Sequence, residues 1–76
     1  MKSINIELDS IDKVRNFVSK ITMFAGNFDL VSTRFVIDAK SILGIFSLDL
    51  SKPLRLDIHD EGEYDKIMEA LNQFIV

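Results

Sequence analysis

The spacing of apolar residues switches between two periods along this chain, and this alternation limits the possible folds more than any other feature of the sequence. In residues 3 to 8 every second residue is isoleucine or leucine, the pattern of a strand with one buried face. From residue 11 to 24 apolar residues recur every three or four positions, which predicts an amphipathic helix. The predicted apolar stripe of this helix consists of Ile11, Val14, Phe17, Val18, Ile21 and Phe24. The chain therefore begins with a strand and a helix that share one core.

The predicted helix is followed by a predicted hairpin. Ser10 or Asp9 is placed to cap the start of the helix, and Gly26 to end it. Residues 28 to 32 and 34 to 39 are rich in β-branched and aromatic side chains, with a Ser-Thr connection between them. This pattern predicts a tight antiparallel hairpin in which Phe35 and Ile37 face the core.

The second half of the chain repeats the change of period. A short helix is predicted from Ser41 through Phe46, although Gly44 lowers its intrinsic stability by about 1 kcal/mol relative to alanine. Alternation over residues 54 to 59 predicts a fourth strand, with His59 on its outward, polar side. A last helix, opened by the acidic turn at residues 60 to 63, carries apolar residues at helical spacing. Each of the two longer helices has one apolar stripe to bury, so both must cover one face of the sheet.

Length and composition place these elements in a single domain, residues 1–76. Hydrophobic residues make up 47% of the chain, which is enough to form a core. The absence of cysteine excludes disulfides and thiol chemistry and agrees with a reducing compartment. No apolar run approaches the roughly 20 residues that span a bilayer, and the amino terminus does not resemble a signal peptide. A cytoplasmic location is therefore predicted.

The charge of the chain argues against two classes of partner. Its formal net charge is −3. Nonspecific binding to nucleic acid or to an anionic membrane draws its energy from Lys and Arg side chains that displace counterions. Neither nucleic acid nor membrane is therefore expected as a partner.

Residues 40 to 48, KSILGIFSL, resemble the regulatory serine motif of HPr, the small phosphocarrier of the bacterial sugar phosphotransferase system. The resemblance continues without a gap over nearly the whole chain, including residues 24 to 30 and 56 to 69. It implies the HPr-like open-faced β-sandwich, an α+β fold with a four-stranded antiparallel sheet (βαββαβα) and helices packed on one face. The element order predicted from the periodicity is the same.

The resemblance also locates the position of the family's phosphate-accepting histidine. Counting back from Ser41 by the family's spacing leads to Ser10; the family has a Gly-x-His-Ala-Arg-Pro type of motif there, whereas residues 9 to 13 of this chain read DSIDK. The family's histidine supplies a nucleophilic nitrogen near neutral pH, and its arginine stabilises the phosphoryl charge. Ser10 is a poor nucleophile unaided, and Asp12 reverses the charge of the arginine. The comparison therefore predicts no catalytic residue and no histidine phosphocarrier activity.

Ser41 is the other phosphorylation position that the resemblance implies. A phosphate there would lie at the amino end of the short helix, next to Lys40. Serine is also a preferred N-cap residue, and the capping role accounts for Ser41 without any modification. The resemblance further implies an exposed apolar patch for protein partners at Ile42, Leu43 and Phe46, although part of this set must belong to the core.

Other candidate sites find less support in the sequence. His59, the single histidine, has the acidic neighbours Asp57, Asp60, Glu61 and Glu63, an oxygen-rich set that matches no known cation loop, so a solvated acidic edge is favoured and no metal is expected. His59 also lacks companions for a nucleophilic triad. The glycines form no phosphate-binding loop, and no cofactor is expected. Core positions, rather than base stacking, account for the phenylalanines at Phe17, Phe24, Phe35 and Phe74.

Three hypotheses on function follow. The first is a regulatory module of the HPr-like family that is not an enzyme and binds proteins, such as an HPr-type serine kinase or a transcriptional regulator, with Ser41 as a candidate modification site. The alternative is a structural or assembly domain that reuses the HPr fold without a phosphorylation role. A small enzyme that uses Asp60 or Glu61 ranks last, because no pair of acids has a spacing that implies a shared cleft.

Overall fold

Four strands and three α-helices follow one another in the predicted order in the computed structural model, which describes residues 1–59 and 62–76. Two residues of the predicted acidic turn, Asp60 and Glu61, lie outside the described residues. A short 3-10 helix follows the last α-helix. The elements are β1 (Lys2–Ile6), α1 (Ile11–Ile21), β2 (Phe28–Val31), β3 (Val36–Asp38), α2 (Ile42–Phe46), β4 (Leu54–Ile58), α3 (Tyr64–Leu71) and the 3-10 helix Asn72–Phe74.

The strands form one antiparallel sheet in the order β1-β4-β2-β3. Leu56 of the central strand β4 lies opposite Ile4 on one side and Leu30 on the other. The carboxyl terminus covers the outer edge of β1, where Ile75 forms a bridge with Ile6 and the Val76 N–H donates to the Asn5 carbonyl at 3.1 Å. Strand β3 forms the opposite edge.

The hydrophobic core lies between one face of this sheet and the helices. Helix α1 buries Val14, Phe17 and Ile21, and α3 buries Ile67 and Leu71. The sheet contributes the buried side chains of Ile6, Phe28, Leu30, Leu54, Leu56 and Ile58. Full burial of one such side chain stabilises a fold by about 1.5–3 kcal/mol. The predicted sheet with its helices on one face is confirmed.

None of the helices in the described ranges combines the length and the apolar content that a membrane span requires.

Helix α1 is shorter than predicted, because it ends at Ile21 and not near Gly26. The Thr22 hydroxyl donates to the Val18 carbonyl at 2.8 Å, and the turn then tightens as the Phe24 N–H bonds to the carbonyl only three residues back, at 3.2 Å. Gly26 lies in the following loop with a φ of 97°, a left-handed conformation that favours glycine. The backbone bonding thus changes from four-residue to three-residue spacing after Thr22, and the α-helix ends before the apolar periodicity does.

Two apolar residues predicted to face the core lie at the surface. Ile11 is the first residue of α1 and is 60% exposed. Phe35 is also 60% exposed, because the hairpin connection is longer than predicted and contains it; the Ser32 N–H closes this turn on the Phe35 carbonyl at 2.9 Å. Strand alternation does not apply within a turn. Ile37, which is in β3, does pack against the core.

Candidate functional site

The amino end of α1 is the position at which the resemblance to HPr places the phosphate-accepting histidine. Ser10 is the N-cap, with an extended backbone and a side-chain oxygen that accepts a hydrogen bond from the Lys13 N–H at 3.1 Å. Asp12 lies in the first turn. Carboxylates and polar oxygens are favoured there, because the first backbone N–H groups of a helix lack intrahelical partners. Local helix chemistry therefore accounts for both residues.

The nearest cation at this helix end is already paired. Lys13 Nζ lies 3.0 Å from the Asp9 carboxylate, one turn earlier. The hydrogen bond from Lys13 lowers the pKa of Asp9, and the same contact raises the pKa of Lys13. A phosphoryl group at Ser10 would face the carboxylates of Asp9 and Asp12. The lysine at this helix end, Lys13, is already paired with Asp9.

Helix α2 presents an apolar surface on one side and is anchored to the core on the other. Ile45 is buried and Ile42 is partly buried against the core, whereas Leu43 is 81% exposed and Phe46 is 42% exposed. Leu43 and Phe46 are called the α2 surface below. Of the three residues in the predicted patch, the structure thus exposes two and assigns Ile42 largely to packing.

Ser41 caps α2 from an exposed position. Its side-chain oxygen accepts a hydrogen bond from the Gly44 N–H at 3.2 Å. A Cβ at Gly44 would lie 3.1 Å from this oxygen and 3.3 Å from Ile37 Cδ1. The glycine therefore allows the first turn of α2 to sit close to both its cap and strand β3.

The side chain of Lys40, which precedes Ser41, contacts the loop between α1 and β2. Its Nζ donates to the carbonyl oxygens of Phe24 at 2.7 Å and Gly26 at 3.2 Å, and it lies 5.5 Å from the centre of the Phe28 ring. This contact ties the loop between α1 and β2 to the start of α2. The sequence indicated a cation beside Ser41, but not that backbone carbonyls engage it.

The sheet face opposite the helices carries a network of charges that the sequence did not predict. Asp57 on β4 is 6% exposed and accepts hydrogen bonds from the Ser3 hydroxyl at 2.7 Å and from Arg55 Nε at 2.9 Å. Burial raises the pKa of Asp57, but the Ser3 and Arg55 hydrogen bonds outweigh it, so the pKa lies below its ordinary value. Asp29, directly opposite Asp57, pairs instead with His59 Nε2 at 2.7 Å.

Asp57 and His59, two residues of the candidate cation site, already have other partners. Asp57 is held by Ser3 and Arg55, His59 by Asp29, and Glu63 sits at the start of α3. Asp60 and Glu61, the two residues named for the enzyme hypothesis, lie outside the described residues. Within residues 1–59 and 62–76, no group of three histidine or acidic side chains has the geometry to hold a metal ion.

Comparison with known proteins bears on the fold. No family model and no curated protein matches the chain. Among solved structures it is similar to the crystal structure of HPr-C-His from Thermoanaerobacter tengcongensis, with a TM-score of 0.78 and 24% sequence identity, covering 96% of this chain and 89% of that one. The chain has the HPr fold. The α+β architecture predicted from the resemblance is thereby confirmed.

The HPr fold brings the two predicted serine positions onto neighbouring helices, since α1 and α2 pack against each other. His59 directly follows β4, and its ring contacts Asp29. Strand alternation did place His59 on the outward, polar side of its strand. Its pairing with Asp29 depends on the register between β4 and β2, which the sequence of one strand does not encode.

Proposed function

We propose that this chain is an HPr-like regulatory module that binds a protein partner through the α2 surface and does not relay phosphate through a histidine. The observation that carries the proposal is the exposure of Leu43 and Phe46 on a helix whose opposite side is fixed by Ile45. Exposed apolar side chains held on a rigid element are typical of protein-binding surfaces.

The chemistry at the start of α1 supports the second half of the proposal. Ser10 stands where the family resemblance places the histidine, and its oxygen is used as a helix cap. The single histidine of the sequence, His59, is bonded to Asp29 on the sheet. Phosphoryl transfer depends on electrostatic stabilisation of the transferred group, and Asp9 and Asp12 oppose it here.

Phosphate relay is tested with phosphoenolpyruvate and the general enzyme of the sugar uptake system. We expect no phosphorylated species by intact mass, while an HPr that contains the active-site histidine becomes phosphorylated in the same mixture. Phosphate that the general enzyme places on the chain would overturn this part of the proposal, whether it is acid-labile and lost in His59→Gln or acid-stable and lost in Ser10→Ala.

Ser41 is proposed as the regulatory phosphorylation site. It is exposed, and its oxygen lies at the first turn of α2, where a phosphate would add negative charge beside the α2 surface. With an HPr-type serine kinase and ATP we expect one phosphoryl group, absent in Ser41→Ala and retained in Ser47→Ala, an exposed serine at the other end of α2. An unmodified but folded wild-type chain would remove Ser41 from the proposal.

The α2 surface is tested by affinity capture followed by identification of the partner and measurement of its binding with purified components. Leu43→Asp should weaken that binding at least tenfold, or about 1.4 kcal/mol. Gln73→Asp, an equal change of charge at an exposed position of the 3-10 helix, should have no effect. Equal binding by Leu43→Asp would contradict the proposal.

The structural or assembly domain remains the alternative. Its distinguishing property is binding through Leu43 and Phe46 that is insensitive to the state of Ser41. If Ser41→Glu and the kinase-treated chain both bind the identified partner as tightly as the wild type does, the assembly role is favoured over regulation.

A further inference from the structure

A cleft whose lining includes neither Leu43 nor Phe46 lies between the turn that joins β2 to β3 and the segment that joins α2 to β4. Its volume is about 210 Å³. Residues 32 to 35 form one side, and residues 47 to 49 and 52 to 54 form the other. We call it the hairpin cleft.

The hairpin cleft has an apolar interior. Leu48 and Leu54 in its lining are buried, and the Phe35 ring, which also lines it, keeps 60% of its surface accessible. An exposed phenylalanine beside buried leucines provides a contact for one further apolar side chain. Phe35, which the strand pattern predicted to face the core, is instead exposed and lines a concave apolar surface.

The net charge of the residues that line the hairpin cleft is opposite in sign to the net charge of the whole chain. Arg34 and Lys52 both line it, and neither side chain forms a hydrogen bond or a close ion pair with the described residues, although the charge of Lys52 helps to lower the pKa of Asp49. Asp49 is the one acid of the lining, and it already accepts hydrogen bonds from the Ser51 N–H at 3.0 Å and the Ser51 hydroxyl at 2.6 Å. Two cations and one carboxylate leave a local charge of +1, whereas the chain carries −3.

Size decides which kind of ligand fits. Pockets that hold small molecules or cofactors have volumes of about 300–1,000 Å³, whereas the hairpin cleft has about 210 Å³. That volume suits one large side chain of a peptide. Two unpaired cations at the rim favour carboxylates on either side of that side chain.

We propose that the hairpin cleft binds a short acidic segment of a partner protein, with an apolar side chain against Phe35 and flanking carboxylates at Arg34 and Lys52. The site does not involve the α2 surface, so it holds whether or not the proposed regulatory function does. It gives the module a second contact, next to the core residues Leu48 and Leu54.

The experiment uses the full chain and a short labelled peptide with a central phenylalanine flanked by glutamates. Binding is followed by fluorescence anisotropy and by amide chemical shifts. We expect the shifts to map to residues 32 to 35 and 47 to 54. A peptide with lysine in place of glutamate, and one with glycine in place of phenylalanine, should each bind at least about tenfold more weakly.

Variants separate charge from apolar contact. Arg34→Gln/Lys52→Gln should reduce the affinity about tenfold or more and remove most of its dependence on salt, and Phe35→Ala should reduce it without changing that dependence. Arg15→Gln/Lys66→Gln, which removes two exposed cations from α1 and α3, is the matched control and should bind as the wild type does. Circular dichroism checks that each variant is folded.

Four outcomes would overturn the proposal. They are equal binding of the lysine peptide, shifts that map to the α2 surface, complete competition by inorganic phosphate alone, and occupation of the cleft by a second copy of the chain in sedimentation experiments. The third would indicate a small-anion site and the fourth a dimer interface.

Discussion

The carboxylate of Asp57 is nearly buried, and hydrogen bonds from its neighbours stabilise its charge. Its side chain is nearly buried on the sheet face opposite the helices, and a lone buried carboxylate there would be strongly unfavourable. Ser3 and Arg55 supply the hydrogen bonds that keep it ionised. Ser3 lies on β1 and Asp57 on β4, in paired register, so the contact also joins the first strand to a later one.

Asp57→Asn tests this contact as a function of pH. The folded-state pKa of Asp57 is depressed, so its contribution is fully present above the unfolded pKa of about 3.9 and is lost as the pH falls through the lower folded value. We expect Asp57→Asn to lower the free energy of unfolding by about 1–2 kcal/mol at pH 7. The difference from wild type should shrink in acid, as measured by urea unfolding.

Glu69→Gln is the control for that measurement. Glu69 is an exposed carboxylate on α3, and its replacement should change stability by less than about 0.5 kcal/mol. A wild-type minus Asp57→Asn difference that is constant from pH 7 to pH 2 would show that the charge of Asp57 contributes nothing.

At the scale of elements, helix capping explains where α1 and α2 begin. Ser10 and Ser41 each accept a hydrogen bond from the backbone N–H three residues later. Helix α1 has eleven residues and α2 has five. A helix as short as α2 is not stable in isolation, so its cap acts together with tertiary contacts. Packing of Ile45 and the Lys40 contact with the preceding loop hold α2 in place.

Ser10→Ala should destabilise the fold by about 1 kcal/mol, because it leaves an N–H of the first turn of α1 without its side-chain partner. The measurement is urea unfolding at neutral pH. Ser19→Ala, an exposed serine within the same helix, is the control and should be neutral or slightly stabilising, since alanine has the higher helix propensity. Equal losses in both variants would mean that the cap has no specific role.

At the scale of the whole molecule, the carboxyl-terminal segment connects the sheet to the helices. The Phe74 ring meets Phe17 of α1 edge to face at 5.7 Å, and the Phe74 carbonyl accepts a hydrogen bond from the Glu7 N–H at 2.8 Å. The last residues of the chain thus pack on the first helix and bond to the segment after β1. These contacts join the first and last elements to one core.

Phe74→Ala should remove most of the stability of the domain. Truncation of a buried phenylalanine costs about 3–5 kcal/mol, a large part of the 5–15 kcal/mol that typical domains possess. Thermal and urea unfolding would measure it. Phe35→Ala, at an exposed ring, should cost less than about 1 kcal/mol. Comparable losses in the two variants would contradict the assignment of core and surface.

The sequence alone determined the order and type of the elements, because apolar periodicity records which side of each strand or helix faces the core. It also located the Ser41 cap and limited the α1 cap to Ser10 or Asp9, since the preference of serine for N-cap positions depends only on local backbone geometry. The prediction that Ile11 and Phe35 face the core was wrong. Ile11 lies at the start of a helix and Phe35 in a turn, and at such positions the apolar period does not indicate burial.

Only the tertiary structure decided which residues meet. Three contacts join residues from different segments of the fold: the pairing of Asp29 with His59, the hydrogen bond from Ser3 to Asp57, and the engagement of Lys40 by loop carbonyls. The hairpin cleft likewise forms between two connections that are separated by β3 and α2. Strand register and helix placement create these contacts, and they are fixed by packing of the whole core rather than by any local pattern.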